Sequence, residues 1–338
     1  MKINTAELKR ALEIVKPGLS NKELVEQSTA FAFVNGCVVT YNDEISVSHP
    51  VAGIEIEGAV QAEELYKFIS KLKTEEITLT IEEEAIVIKS GRSTAGFALA
   101  KEIKLPLKEE LTKKGKWVPI TQEFVETLKF VSLSCSKDLS NPKLTCVHVN
   151  KNGFIESSDN YRVCHYKIDV PVKTFLLPES SVDPIARLKP TSISEGKGWV
   201  HFKTDEGTII SSRTFFEDFV DTSKYIKFGQ EGITINLPKN LDEILDKAIV
   251  FIKKEKNFTD DIEVSITEKF LVVESKSETS WFKEKAPIHY TDEPISFALS
   301  PFLLKDIIAK TDKCTLVKNI LYFNEANWIY ITTVKNVK

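Results

Sequence analysis

The residues best suited to covalent chemistry in this chain are its cysteines and histidines. Cys146 and His148 lie two residues apart, so in a predicted strand they share a face, whereas the adjacent Cys164 and His165 point to opposite faces. These pairs, or Cys135, could supply a nucleophile and a base. However, buried cysteine usually acts as a small hydrophobic residue. The sequence also has no glycine-rich phosphate loop, HExxH pair or GxSxG elbow. We therefore expect a protein that is not an enzyme.

The spacing of the cysteines indicates neither a disulfide framework nor a metal site. The chain has five cysteines, an odd number, spread widely over positions 37, 135, 146, 164 and 314. Zinc sites and disulfide-rich domains need closely spaced or evenly numbered cysteines. We expect no cofactor and no metal, and a reducing cytoplasm is the simplest compartment.

Composition places the chain among ordinary globular proteins. Of its 338 residues, 42% are hydrophobic and 28% are charged, and the formal net charge is −4. The first residues lack the apolar core of a signal peptide, and no run of 18 apolar residues exists. We expect a cytoplasmic protein that does not contact a membrane. The net charge neither requires nor excludes nucleic acid as a partner.

A helix-opening pattern recurs six times at nearly constant spacing. Successive starts are 57 to 61 residues apart, which indicates an internal repeat. The six predicted helices are amphipathic, as in the first, where Leu8, Leu12 and Val15 form an apolar stripe. Thr121 and Ser300 are predicted N-cap residues. The helices begin near Thr5, Ala62, Thr121, Glu179, Lys239 and Ser300.

Each predicted helix is preceded by one short strand-like run and followed by several. Asn35-Gly36 between two apolar runs predicts a tight hairpin. The pattern is β-α-β-β-β, repeated six times, which predicts an α+β fold. One repeat of about 60 residues would be only marginally stable alone, so we expect two repeats per domain. Polar and glycine-rich runs suggest boundaries that give domains 1–113, 114–228 and 229–338.

Four sequence motifs, in order along the chain, carry a resemblance to a known family. They are IVIKSGRSTAGFAL (86–99), ESSDNYRVCHYKI (156–168), FEDFVDTSKYI (216–226) and SFALSPFLLKDII (296–308). Together with the three paired domains, they resemble the bacterial DNA sliding clamp, the beta subunit of the replicative DNA polymerase III. The chain departs from the family pattern at Asn160 and Tyr161, where the family usually has Gly and His. It also departs at Val220, where the family usually has Pro.

The resemblance implies a processivity factor that forms a head-to-tail ring of two chains around duplex DNA. Its partners would be double-stranded DNA, bound without regard to sequence, a replicative polymerase, a clamp loader and a second copy of the chain. Cations on the helices would contact phosphates. The six predicted helices with their flanking residues carry 16 basic and 13 acidic residues, counted over 5–17, 62–74, 121–133, 179–191, 239–254 and 300–313. This is a small excess of positive charge, the sign that DNA binding requires. An alternative is a non-catalytic, repeat-built binding scaffold that does not encircle DNA.

Residues for three kinds of contact follow from the resemblance, each with a simpler alternative. The DNA contacts could instead be ordinary solvated cations, and the dimer contacts could be intradomain core. Arg162 in the pocket could be a structural ion pair. For DNA the residues are Arg10, Lys22, Lys71, Lys137, Lys143 and Arg187. For the dimer they are Phe97, Leu99, Ile249 and Val250. For a pocket that takes short apolar peptides of partner proteins they are Leu144, Ser158, Asn160, Tyr161, Arg162, Val163, Val220, Lys224, Tyr225, Ile331 and Thr332.

Overall fold

The computed structural model describes residues 1–107, 115–226, 232–252, 261–277 and 279–337. Helices α1 to α7 span Thr5–Val15, Ala62–Lys71, Gln122–Ser132, Glu179–Leu188, Ser223–Ile226, Leu241–Ile249 and Pro301–Ile308. Short 3-10 helices span Lys16–Gly18 and Pro142–Thr145.

The described strands follow the predicted repeat. Strands β1 to β8 span Lys2–Asn4, Ala30–Val34, Cys37–Tyr41, Ile45–Pro50, Gly58–Gln61, Glu76–Glu82, Ala85–Ser90 and Ser93–Ala98. Strands β9 to β16 span Val118–Pro119, Cys146–Asn150, Phe154–Ser158, Arg162–Lys167, Phe175–Pro178, Ser192–Glu195, Trp199–Lys203 and Ile209–Arg213. Strands β17 to β25 span Ile233–Asn236, Ile262–Ile266, Phe270–Lys276, Trp281–Pro287, Ile295–Leu299, Lys313–Val317, Ile320–Asn324, Trp328–Thr333 and Lys335–Asn336.

The six repeats start at β1, β5, β9, β13, β17 and β21, and each has one strand, one helix and three strands. Helix α5 and strand β25 are additions to this pattern. The α+β prediction and the sixfold β-α-β-β-β order are therefore confirmed.

Local interactions explain why these elements form. The Asn4 side chain caps α1 by accepting from the backbone N–H groups of Ala6 and Glu7, at 2.9 and 3.1 Å. Asn35 and Gly36 both have positive φ, of 51° and 72°. A two-residue hairpin turn that follows the strand twist requires this conformation. Thr121 accepts from the N–H of Phe124 at 3.2 Å, as predicted for an N-cap.

The chain divides into two compact units. Unit 1 comprises Met1–Phe130, Cys146–Asn152 and Asp169–Glu217, and unit 2 comprises Val131–Thr145, Gly153–Ile168 and Asp218–Lys338. In unit 1, eight antiparallel strands follow the order β5-β2-β3-β4-β16-β15-β14-β9, four follow β1-β6-β7-β8, and β10 pairs with β13. The division into three domains stays a prediction.

Unit 2 has two antiparallel arrangements of strands. Six strands follow the order β11-β12-β24-β23-β22-β17, and five follow β20-β19-β18-β21-β25. The core of the six-stranded arrangement includes Tyr330 and Phe323, whose rings meet edge to face at 6.3 Å. Long-range strand pairs thus bring segments more than 150 residues apart together, such as β12 and β24.

Helices of consecutive repeats lie side by side. The Tyr66 hydroxyl on α2 donates to Glu13 on α1 at 2.9 Å. Lys129 on α3 lies 3.7 Å from Asp183 on α4, and Lys305 on α7 lies 3.4 Å from Asp242 on α6. Within the described ranges, none of the helices has the length and apolar character needed to cross a lipid bilayer.

Candidate partner-binding pocket

A cavity of about 800 Å³ lies within unit 2. One wall is the loop after α3, and a second is the turn that leads into β12. The remaining walls are the start of α7 and the segment from Thr332 to Lys335. Three of the residues predicted for the pocket, Tyr161, Arg162 and Thr332, line this cavity, as does Lys137 from the predicted DNA contacts. The size suits part of a peptide, with polar groups available to orient it.

The turn at residues 159–162 is held by one carboxylate. Asp159 Oδ1 accepts from the backbone N–H groups of Tyr161 and Arg162, at 3.1 and 2.8 Å. Its Oδ2 accepts from Arg162 Nε at 2.7 Å and lies 2.5 Å from Nη2. Burial alone would lower the pKa of Arg162, but Tyr330 and Asp159 oppose it and hold that pKa above its ordinary value. Arg162 therefore forms a structural ion pair and also lines the cavity.

An apolar patch on the sheet lies beside this turn. Val163, Tyr322 and Ile331 pack together on one face of the three adjacent strands β12, β23 and β24. Because Arg162 and Thr332 alternate with Val163 and Ile331 along their strands, they occupy the opposite face. Val163, Tyr322 and Ile331 are only 7%, 4% and 5% exposed, so the predicted residues Val163 and Ile331 belong to a buried apolar cluster rather than to the cavity wall.

Helix α5 packs against β24 and carries two more of the predicted residues. Tyr225 is 45% exposed, and the Lys224 ammonium lies 5.0 Å from its ring centroid. Asp221 accepts from the N–H of Ser223 at 3.0 Å, and its hydrogen bonds from Ser223 lower the pKa of Asp221. Val220, just before the helix, is half-buried. The segment thus holds an aromatic side chain in contact with solvent near the patch.

The other predicted pocket residues have structural roles in unit 2. Leu144 is buried, and its carbonyl accepts from Ser136 N–H at 2.7 Å, which ties it to the loop after α3. Ser158 Oγ donates to the Arg162 carbonyl at 2.8 Å. Asn160 has φ 73°, in the left-handed region that Asn tolerates better than most residues. This conformation explains how Asn160 can stand where the family usually has Gly.

Sequence reasoning did not identify two further features beside the pocket. The buried Glu156 carboxylate accepts from Thr222 Oγ1 at 2.5 Å, and His165 Nδ1 lies 3.3 Å from it. This contact anchors the segment leading to α5 onto β11. The carboxyl-terminal residues Lys335–Asn336 pair with β21, and Lys335 Nζ donates to Asp261 at 2.5 Å. The terminal segment therefore forms one wall of the cavity.

The six predicted DNA contacts lie on the surface to different degrees. Arg10 pairs with Glu206 at 2.5 Å, and Arg187 pairs with Asp183 at 3.2 Å, all four being exposed. Lys22, Lys71 and Lys137 are exposed, and Lys143 is half-buried. Lys22 and Lys71 make no ion pair in the part of the chain that the structure describes.

The predicted dimer residues lie in both units. In unit 1, Phe97 packs on Phe68 with 5.7 Å between ring centroids, and Leu99 is buried against Gly58. In unit 2, Ile249 is half-buried and Val250 is exposed at the end of α6. Leu99 thus serves the core of its own unit.

The cysteines have the environment of core residues. Cys164 and Cys314 are buried, and burial raises the pKa of Cys314 to about 12 and that of Cys164 well above its ordinary value. Such thiols hold their protons at neutral pH and make poor nucleophiles. Within the described ranges, no group of three His, Cys, Asp or Glu side chains could hold a metal ion.

Comparison with solved structures identifies the fold. The DNA polymerase III beta subunit from Thermotoga maritima is 20% identical, with a TM-score of 0.79 over 100% of this chain and 99% of that chain. The sliding clamp from Bartonella birtlesii, bound to griselimycin, is 17% identical over the same shares, with a TM-score of 0.81. The DNA polymerase sliding clamp from Bacillus subtilis is 15% identical, again over 100% and 99%, with a TM-score of 0.80. The chain has the sliding-clamp fold over its full length.

Sequence comparisons add little to this result. No protein-family model matches the chain. Structural maintenance of chromosomes protein 4 from Schizosaccharomyces pombe is 28% identical over 155 residues, 46% of this chain and 9% of that protein. The chain spans about a tenth of the length of that relative, and the match carries no conclusion about function.

Proposed function

We propose that this chain is a DNA sliding clamp, a non-catalytic processivity factor of the cytoplasm. In this proposal two copies close head to tail around duplex DNA and tether a replicative polymerase and other partners. The observation that carries the proposal is the full-length sliding-clamp fold together with the way its repeats are joined. The paired helices of repeats 1 and 2, 3 and 4, and 5 and 6 support three domains of two repeats each.

Sheet edges support closure by a second copy. Repeat 1 joins repeat 4 through β4 and β16, and repeat 3 joins repeat 6 through β12 and β24. By the same rule repeat 5 should join repeat 2 through β20 and β8. Within the described residues, β20 pairs with β19 alone and β8 with β7 alone. They are also the longest strands at any described sheet edge, with seven and six residues. Long unpaired edges invite pairing with another chain.

DNA binding would be electrostatic and independent of sequence. The exposed cations Lys22, Lys71 and Lys137, with Arg10 and Arg187, are the proposed phosphate contacts. The acidic partners of Arg10 and Arg187 are themselves solvent-exposed. Exposed ion pairs contribute about 0 to 1 kcal/mol, so phosphates can compete for these guanidinium groups.

Partner proteins would dock short peptides in unit 2. The apolar patch of Val163, Tyr322 and Ile331 is buried, and the half-buried Val317, Ile320 and Ile329 packed against it would supply contact area for apolar side chains. Tyr225 offers an exposed aromatic ring near the patch, and the cavity beside Arg162 and Thr332 offers polar groups. A groove with apolar walls and a few fixed polar groups is the usual form of a peptide site.

The function is tested by mass and by topology. Light scattering over a concentration series should give about twice 38.2 kDa. After a clamp loader has placed the protein on nicked circular duplex, the protein should co-elute with the circle and be lost once a restriction enzyme linearises it. A non-encircling scaffold would show the same retention on both forms, and a strict monomer would exclude the two-chain ring.

A further inference from the structure

A junction is the pair of strands through which two repeats join. The first strand of each junction, β4, β12 or β20, belongs to a hairpin, and these three hairpins are equivalent. In β3–β4, β11–β12 and β19–β20, the innermost directly opposed pair encloses four residues. The three pairs are Tyr41 with Ser46, Ser158 with Val163, and Lys276 with Trp281. Ser46, Val163 and Trp281 therefore occupy the same position in their strands.

The second strand of each junction has an equivalent position too. The turns β6–β7 and β22–β23 each enclose two residues, so Val87 corresponds to Tyr322. Val87 opposes Gly96, and Tyr322 opposes Ile331. In the remaining repeat, His201 opposes Ser211 and is flanked by two fully buried side chains, as Val87 and Tyr322 are. Gly96, Ser211 and Ile331 are therefore equivalent.

Both junctions within the chain use one register. Ser46 lies directly opposite Ser211, and Val163 directly opposite Ile331, each in an antiparallel pair. The side chains differ completely between the two junctions, so the register comes from the shared backbone. From this we infer that Trp281 of one copy lies directly opposite Gly96 of a second copy where β20 meets β8. The inference rests on the proposed ring and specifies its contact residue by residue.

The side chains at these positions suit one another. Trp281 is 70% exposed in the single chain, an unusual state for so large an apolar side chain. Gly96 is also exposed, and a Cβ built on it would meet nothing within 4 Å. An aromatic side chain placed across from a glycine covers the bare backbone of the facing strand. Buried tryptophans are also among the residues that most often dominate interface energetics.

The opposite face of the same pairing brings aromatic rings together. In the same register, Phe282 of one copy lies opposite Ala95 of the second copy. Both residues lie on the face of the sheet that carries the helices. Phe282 stacks on Phe251 at 5.6 Å, and Phe97 packs on Phe68 at 5.7 Å. Phe97 is diagonal to Phe282, a separation that aromatic side chains can span. The register therefore adds contacts between Phe282 and Phe97 of the second copy.

Cysteine cross-linking tests the register directly. The double variant Trp281→Cys with Gly96→Cys places the two thiols in directly opposed positions, where Cα separations allow a disulfide. Mild oxidation should link the two chains, and mass spectrometry should identify a disulfide between the peptides that carry positions 281 and 96. Two control variants keep Trp281→Cys and move its partner, to Ala98→Cys on the same face or to Ala95→Cys on the opposite face. Both controls should remain largely unlinked.

The outcomes distinguish failure of the inferred strand register from failure of the proposed ring. A dimer that links through Ala98→Cys or Ala95→Cys, or through none of the three, overturns the register and leaves the ring intact. A wild-type protein that stays monomeric at every concentration overturns both.

Alanine substitution tests the contribution of the indole. Trp281→Ala should raise the dissociation constant of the dimer at least tenfold, because a large buried contact is lost. Trp281→Phe should recover part of the affinity. The control Phe216→Ala removes another exposed aromatic ring, 81% exposed, that lies in unit 1 beside Gly198 and should leave the dimer unchanged. Equal dissociation constants for Trp281→Ala and wild type would contradict the assignment of Trp281 as the anchor.

Discussion

At the scale of residues, the pocket turn depends on one carboxylate that serves four donors. Asp159 accepts from two backbone N–H groups and from the Arg162 guanidinium, and the two side chains are only 13% and 11% exposed. A nearly buried pair of this kind is difficult to break, because the remaining charge is left without compensation. The turn is therefore rigid before any partner arrives.

Asp159→Ala should lower the free energy of unfolding by about 3 kcal/mol. The matched control is Asp183→Ala, which removes the exposed partner of Arg187 and Lys129 and should change stability by no more than about 0.5 kcal/mol. Chemical denaturation of both variants measures the difference. Similar, small changes in the two would show that Arg162 does not depend on Asp159.

The buried thiols should resist alkylation. At pH 8, far below the pKa of about 12 for Cys314, the thiolate is scarce, and burial raises the pKa of Cys164 as well. Iodoacetamide followed by mass spectrometry should find modification first at Cys37, which is half-buried, with the other two protected until denaturant is added. Rapid native modification of Cys164 would reopen the possibility of thiol chemistry.

At the scale of elements, two glycines at β8 differ in the space around them. Gly58 has φ 137°, and a Cβ there would come within 2.5 Å of the Leu99 side chain and 2.7 Å of the Ala100 carbonyl. Gly96 has open space around it. The strand is thus tightly packed just beyond its carboxyl end and open on its outer face.

Gly58→Ala should lower the melting temperature by several degrees, because both the backbone conformation and the contact with Leu99 are lost. At a protein concentration low enough to keep the chain monomeric, Gly96→Ala should leave the melting temperature within about a degree of wild type, or raise it slightly. Differential scanning calorimetry compares the two. Equal shifts would indicate that the ends of β5 and β8 do not pack as described.

Helix α5 provides the second test at this scale. Tyr225→Ala should weaken binding of a five-residue peptide of the type that binds bacterial clamps, by about tenfold. Phe270→Ala serves as control, since Phe270 is similarly exposed, at 42%, on another sheet of unit 2. Fluorescence anisotropy measures both. Affinity that is unchanged by Tyr225→Ala would remove α5 from the pocket.

The sequence predicts elements better than their long-range pairing. Helical periodicity and turn residues such as Asn35-Gly36 are local signals, so the six β-α-β-β-β repeats could be predicted from the sequence. Ser300 is a predicted N-cap of α7, yet its side chain makes no capping hydrogen bond. The Glu156–Thr222 contact joins residues 66 apart with no local signal. Resemblance to the sliding-clamp family predicts Leu99 as an interface residue. Its tertiary packing against Gly58, which no local sequence signal indicates, buries it within its own unit.

At the scale of the whole molecule, one rule for joining repeats accounts for the architecture. A repeated backbone pairs in the same register at both junctions within the chain, and among the described residues the two longest edge strands, β8 and β20, are open to a second copy. Closure by a second copy then reuses the backbone pairing of the repeats, with side chains such as Trp281 particular to the contact between copies. In the proposed ring, enclosure of DNA would make retention depend on topology rather than on affinity.

Order of addition on linear duplex DNA tests enclosure most directly. The protein is allowed to thread onto DNA biotinylated at both ends, streptavidin then blocks the ends, and salt is raised to a level that abolishes electrostatic binding. A ring that encircles DNA predicts retention when the ends are blocked after the protein is added. It predicts loss when they are blocked beforehand or left open. Equal retention in all three cases, or none in any, would contradict a ring that encircles DNA.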